Sequence, residues 1–403
     1  MILNQSNAVE VQNNNAKIPT MFTEITQSDS GSVKFLHKEN DFDDFYTERL
    51  LPNQLSINGP ALASGDLDGN GLSDIVIGGP QGYPTSIFLQ QSAGAFSKAE
   101  IQDVFKADSL FEDQGILLFD AELDGDLDIY IASGGNELAV EQPNLLQDRL
   151  YINNGKAIFT RRYLPDMPVA KSCVIGNDID NDGDIDLFVG GRNIPGAFSK
   201  EPRSYLLLNT NGIFTDVTNF LANPLMKPGR VKSALWSDFD SDGDKDLIVV
   251  GEWMKILLLQ NSEGVFFDKS AAYGIDTTTG MWNSINAGDI DNDGDMDYVL
   301  GNIGINRRYE EPSATYPFEL FCRDIDDNGS IDYIQSYYEN GIRFPSRVIG
   351  SLISQIPTLR KKYLNIEDIA RISLEELVGG DSILKNAHYM KAEMGVSIVL
   401  INN

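Results

Sequence analysis

The chain has 403 residues, 42% of them hydrophobic, and carries 31 basic against 60 acidic side chains for a formal net charge of −29. A sizeable core can be buried, but so acidic a surface excludes nucleic acid and anionic lipid as partners, because phosphate contacts come from Lys and Arg. Two Cys and two His provide neither a disulfide framework nor a histidine-based metal or catalytic centre, and no run approaches the roughly 20 apolar residues of a membrane span.

Residues 1–20 read as an irregular lead whose start, Met1 to Gln5, lacks the basic-then-apolar pattern of a secretion signal, and the chain is expected to be part of a longer one. Residues 21–403 read as one domain built of repeats. At its head Phe22–Thr26 (FTEIT) matches the later Phe214–Thr218 (FTDVT), so it reads as an outer strand whose sheet lies elsewhere in the chain.

Six Asp-rich loops of nine residues follow, at intervals of 51–60 residues except for a last interval of 35. Side-chain oxygens fall at positions 1, 3, 5 and 9, with Gly always at 6. The candidate metal ligands are Asp66, Asp68, Asn70, Leu72 (through its carbonyl) and Asp74 in the first loop, and Asp120, Glu122, Asp124, Asp126 and Asp128 in the second. The third offers Asp178, Asp180, Asp182, Asp184 and Asp186, and the fourth Asp238, Asp240, Asp242, Asp244 and Asp246. The fifth offers Asp289, Asp291, Asp293, Asp295 and Asp297, and the sixth Asp324, Asp326, Asn328, Ser330 and Asp332. Calcium takes six to eight oxygens at about 2.3–2.6 Å, and alternate residues of a tight loop can turn theirs inward together. Up to six calcium ions, one per loop, are therefore expected. Asp-Gly turns also make good hairpins without a metal. Up to five carboxylates within nine residues, however, repel one another severely unless a cation sits among them. The loop is not an EF-hand, which needs Glu at position 12, where this chain has residues such as Ile77 and Val189.

Each loop runs into a short apolar strand, such as Ile75–Ile77, Ile129–Ile131 or Leu247–Val249. A variable loop leads to a third strand ending in an amide: Ile87–Gln90, Leu150–Asn153, Leu206–Asn209 and Leu257–Gln260. A Gly turn and an aromatic then open a fourth strand, as in Gly212–Phe214 and Gly264–Phe266. Four antiparallel strands in about 55 residues, repeated, predict an all-β propeller of four-stranded blades. Six repeats are visible, and a truncated seven-bladed ring is the favoured reading. Between about 343 and 390 the spacing turns helical (Ile349, Leu352, Ile353, Ile356; then Ile366, Ile369, Ala370), with Ser373–Glu376 as a capping box. This is expected to be an insertion in the sixth blade, with Ser397–Asn402 as a third strand after it.

The Asp-rich loop with its Gly-x-Phe turn resembles the FG-GAP or VCBS repeats of integrin α-chain propellers. The opening stretch, Val33–Asn40, Asp43–Phe45, Leu50–Pro52 and Gly59–Pro60, resembles that of bacterial surface proteins related to cartilage acidic protein, which pair VCBS repeats with an ASPIC/UnbV segment. No such segment is recognisable in this sequence. The resemblance implies a calcium-dependent propeller on the cell surface, in the periplasm or outside the cell.

First turns of a four-stranded meander share one face, so all six Asp-rich loops are expected to ring it. The second loops (79–86, 135–148, 191–204, 251–255 and 302–317) then build the opposite face, with Tyr83, Arg192, Arg203, Trp253, Arg307, Arg308 and Tyr309 as candidate ligand groups. The expected function is a binding or adhesion module for an unknown protein or glycan, rather than an enzyme. The alternatives are a polysaccharide lyase or hydrolase and a structural spacer of a larger surface protein.

Overall fold

The computed structural model describes residues 32–403 other than 93, 138, 305, 307–309, 348 and 364–371. Phe22–Thr26 and the lead before it lie outside these. The chain is an all-β propeller. Its first blade is the meander Leu62–Gly65, Asp74–Ile77, Ser86–Ser92 and Ala95–Lys98, and its second Glu112–Phe119, Asp128–Gly134, Arg149–Ile152 and Thr160–Arg162. The third is Ala170–Asn177, Asp186–Asn193, Tyr205–Thr210 and Ile213–Asp216. The fourth is Arg230–Ser237, Asp246–Met254, Leu257–Ser262 and Val265–Asp268, with Gly280–Met281 paired to its second strand. First strands of successive blades pack side by side from the first blade to the fifth, which makes them the inner strands.

The second strands explain the continuous apolar runs. Asp128–Gly134, Asp186–Asn193 and Asp246–Met254 are buried at every residue, because blades cover them on both faces. The core is accordingly a series of layers between blades: Tyr130 and Leu150 meet Leu187 and Tyr205, and Phe188 and Leu206 meet Leu247 and Leu259.

The recurrent amide is a staple between blades. Asn153 Nδ2 donates to the Leu67 carbonyl of the preceding loop (2.8 Å), Asn209 to Ala121 (2.9 Å), Asn261 to Ile179 (3.2 Å) and Asn402 to Phe239 (3.0 Å). In the fourth blade the stapling residue is Asn261, one place beyond the Gln260 picked out in the sequence, which turns instead to Asp240. Asn261 also donates to the Lys245 carbonyl at 3.3 Å. Asn261→Ala is therefore expected to cost about 1–3 kcal/mol in urea unfolding, since buried carbonyls lose their donor. Gln90→Ala in the first blade, where the amide reaches only Ser92 within its own strand, should cost less than about half of that.

The fifth blade departs from expectation. Its strands are Ser284–Gly288, Asp297–Gly301 and Ile398–Leu400, so the C-terminal strand completes the fifth blade and not the sixth. Among the described residues this sheet has three strands. Everything between Gly301 and Ile398 is an excursion from its second loop. The excursion carries a sheet of its own, in the order Ile342–Pro345, Asp332–Glu339, Phe318–Arg323, His388–Ala392. The cause is local. Asn340 and Gly341 both take positive φ (51° and 76°) and fold Ile342–Pro345 straight back on Asp332–Glu339. Asn-Gly is a strong two-residue hairpin signal.

Helices Ile349–Gln355, Thr358–Lys362, Leu374–Val378 and Asp381–Lys385 follow, with Ser373 Oγ accepting from the Glu376 N–H as an N-cap; Ile366, Ile369 and Ala370 lie outside the described residues. Leu352, Leu374, Leu377 and Phe318 share one apolar cluster with Leu50 and Leu51 of the N-terminal segment, with Phe198 from the second loop of the third blade and with Trp253, which lies at the end of the fourth blade's second strand and not in its second loop. The sixth unit thus sits over the second-loop face.

Candidate metal centres and the opposite face

In five of the loops the carboxylates at positions 1, 3 and 9 converge, with ligand atoms within 4.8 Å of one another: Asp66/68/74, Asp178/180/186, Asp238/240/246, Asp289/291/297 and Asp324/326/332. Position 9 is fully buried in all six loops. One of its oxygens accepts the N–H of position 2, as in Ile179 to Asp186 (3.0 Å) and Phe239 to Asp246 (3.0 Å). The other accepts the N–H of the third-strand amide residue, as in Asn209 to Asp186 and Asn261 to Asp246, both 2.8 Å. Position 1 accepts from the N–H of the position-6 glycine, for example Gly183 to Asp178 at 3.0 Å. That glycine is required by its backbone and not by crowding: at Gly183 and Gly294 φ is 95° and 104°, yet an added Cβ would meet nothing within 4 Å.

The donors do not balance the burial. Burial pushes the Asp186 and Asp246 carboxyls up to about 7, and those of Asp128 and Asp332 up to about 6, against the backbone N–H groups that pull them down. Among the described residues, buried oxygens of Asp126, Asp184, Asp238, Asp240 and Asp326 have no hydrogen-bond partner. Clustered hard oxygens of this kind suit a divalent cation, and the triads can hold metal ions. The second loop differs, because Glu122 reaches Arg162 at 2.5 Å.

The sixth loop is also misplaced relative to expectation. It does not join the others on one face. Asn328 and Ser330 lie across a cleft from Ala197 and Lys200, in the second loop of the third blade. Its Asp332 keeps the position-2 N–H of Ile325 (2.9 Å), but in place of a third-strand N–H it accepts from Gln355 Nε2 of the inserted helix, also at 2.9 Å.

Three of the four described side chains expected to face a ligand are otherwise engaged. Arg192 is buried 3.9 Å from Glu252. Arg203 forks onto Asp216 (3.1 and 2.8 Å) and lies over the Tyr205 ring. Trp253, 8% exposed at φ 60°, stacks on Phe318 with centroids 5.5 Å apart. Tyr83 is exposed, in a groove that includes Lys34 and Lys98. Arg307, Arg308 and Tyr309 lie outside the described residues. Both cysteines are free, with thiols pushed up to about 11 (Cys173) and about 12 (Cys322) by burial.

The same end of the second blade buries Glu112, whose oxygens accept from the Gln81 N–H (2.6 Å) and Gln114 Nε2 (3.2 Å). Burial, then Glu137, Glu39 and Asp113, raise its carboxyl to about 9. Because the folded state holds this proton longer than the unfolded chain, its contribution to stability falls as pH rises from about 4.5 to about 9, by up to about 1.4 kcal/mol per pH unit. Glu112→Gln should leave stability at pH 4.5 nearly unchanged and raise it at pH 8, as read from denaturant midpoints.

The FG-GAP-like repeat family matches residues 178–249 and 238–300, and the FG-GAP repeat family matches residues 58–97. No curated protein matches the chain. Among solved structures, an Agrocybe aegerita lectin specific for non-reducing terminal N-acetylglucosamine is 16% identical, with 73% of this chain and 80% of that one covered and a TM-score of 0.40. Sqt1 of Saccharomyces cerevisiae is 8% identical over 62% of this chain and 60% of its own, with a TM-score of 0.35. The V. cholerae biofilm matrix protein Bap1 is 15% identical over 73% of this chain and 48% of its own, with a TM-score of 0.30.

Proposed function

We propose, from the premise that the chain is a β-propeller of FG-GAP repeats, that it is a calcium-stabilised binding module for a glycan or protein. The supporting observation is the recurring Asp triad with a fully buried third member and with buried carboxylate oxygens that no donor satisfies. In the ring loops the cation fastens structure, because position 9 ties it to the second strand, the third strand and, through the amide staple, the previous blade. The residues holding it are those at positions 1, 3 and 9, with positions 5 and 7 completing the shell. Calcium supplies charge compensation there and no reaction step.

A loop of moderate affinity fills only where free calcium is near millimolar, so the module belongs outside the cytoplasm. Ligand is assigned to the second-loop side, where the sixth unit and the N-terminal segment add walls that a bare ring lacks. A glycan panel incubated with the chain in calcium and in chelator tests this. Calcium-dependent retention of intact glycan is expected. Shortened or unsaturated products would identify the lyase or hydrolase alternative, and retention of neither glycan nor protein would leave only a spacer.

A further inference from the structure

The geometry points to the cleft between the sixth Asp-rich loop and the third blade as a subsite for a carboxylate-bearing saccharide, such as a uronate, with the sixth-loop cation in its wall. The inference rests on the binding-module reading and specifies its site and ligand class.

The cleft has a volume of about 860 Å³, enough for two or three sugar rings. Three separate parts of the fold build it: the end of the N-terminal helix Asp44–Thr47, the second loop of the third blade, and the excursion with its helix Ile349–Gln355. Hydroxyls of Thr47, Ser199 and Ser354 line it, as Ser330 does from the Asp-rich loop itself. Hydroxyl groups of this kind pair with sugar hydroxyls, beside a small apolar surface from Ala197, Ile331 and Pro357. Two cations also face it, Lys200 and Arg49. Neither forms an ion pair among the described residues; Arg49 Nη1 donates to the Ser354 carbonyl at 2.9 Å. In a chain with a net charge of −29, two cations without ion-pair partners, on a cleft whose lining carboxylate Glu48 already accepts from Tyr333, favour an anionic guest.

The loop itself differs in the matching direction. The third, fourth and fifth loops carry Asp at positions 5 and 7, whereas the sixth has Asn328 and Ser330 there. It therefore surrounds its cation with three carboxylates at the ligand positions instead of five, so the filled loop turns less negative charge toward an anionic guest. Of the loop's ligand positions these two border the cleft, together with Gly329 and Ile331. Tyr333, next along the strand, donates to Glu48 Oε1 at 2.9 Å and packs edge-on against Phe198, which holds the three walls together.

Calorimetry on the full chain in calcium, with trigalacturonate as the probe, tests the assignment. The acid is expected to bind, and its methyl ester to bind at least about tenfold more weakly. Lys200→Glu and Asp326→Asn should each weaken the acid by about tenfold or more. Lys200→Glu should keep the calcium-dependent melting of the parent, and Asp326→Asn should lose no more than the sixth loop's share of it, because neither touches a ring loop. Equal binding of acid and ester, tighter binding of a Glu-rich hexapeptide, or full affinity in Lys200→Glu would overturn the proposal. A chain whose melting ignores calcium would instead overturn the reading beneath it.

Discussion

Stripping calcium from the folded chain is expected to lower its melting temperature by about 8 °C or more, and readdition of calcium, but not of magnesium, should restore it. At about 1 mM calcium and a loop dissociation constant of about 0.1 mM, each loop contributes roughly 1.4 kcal/mol. Five converged triads then contribute about 7 kcal/mol, which is comparable with the whole stability of many domains. Spread over the unfolding entropy of a chain this long, that is about 8 °C. Repulsion adds to it, since five divalent ions offset ten of the 29 excess negative charges. Magnesium should fail because it demands a smaller octahedral shell and sheds water reluctantly. Differential scanning fluorimetry in chelator, calcium and magnesium reads the result.

Asp246→Ala is expected to destabilise the chain by about 3–5 kcal/mol even in excess calcium. The carboxylate is fully buried and accepts the N–H groups of Phe239 (3.0 Å) and Asn261 (2.8 Å). Alanine leaves both donors unpaired, at about 1–3 kcal/mol each, and removes a cation ligand as well. Asp242→Ala, at exposed position 5 of the same loop, should cost less than about 1 kcal/mol. A similar cost for the two variants would mean that position 9 is not the anchor described above.

The repeat was legible because its signal is local. Asp at alternate positions, Gly at position 6 and an apolar run beyond it specify a loop and a buried strand without reference to the rest of the chain. The terminal amide was visible too, although its partner, a carbonyl in the previous blade, was not. What the sequence concealed depends on contacts between distant segments. Trp253 and Arg203 look like surface anchors until Phe318 and Asp216 occupy them. The sixth loop shares the spacing of the others, so nothing in it reveals that its sheet is an excursion of the fifth blade. The Asn340-Gly341 hairpin was the available clue, since a two-residue turn there leaves no room for the variable second loop of a regular blade. The cleft cations Arg49 and Lys200 are about 150 residues apart in sequence and come together only through the placement of the sixth unit.

The most direct measurement is the number of calcium ions per folded chain, counted by native mass spectrometry alongside the melting curve. At least five ions, lost together with thermal stability on chelation, are predicted from the five converged triads. A folded chain that carries no calcium, or that loses it without any change in melting, would contradict the account.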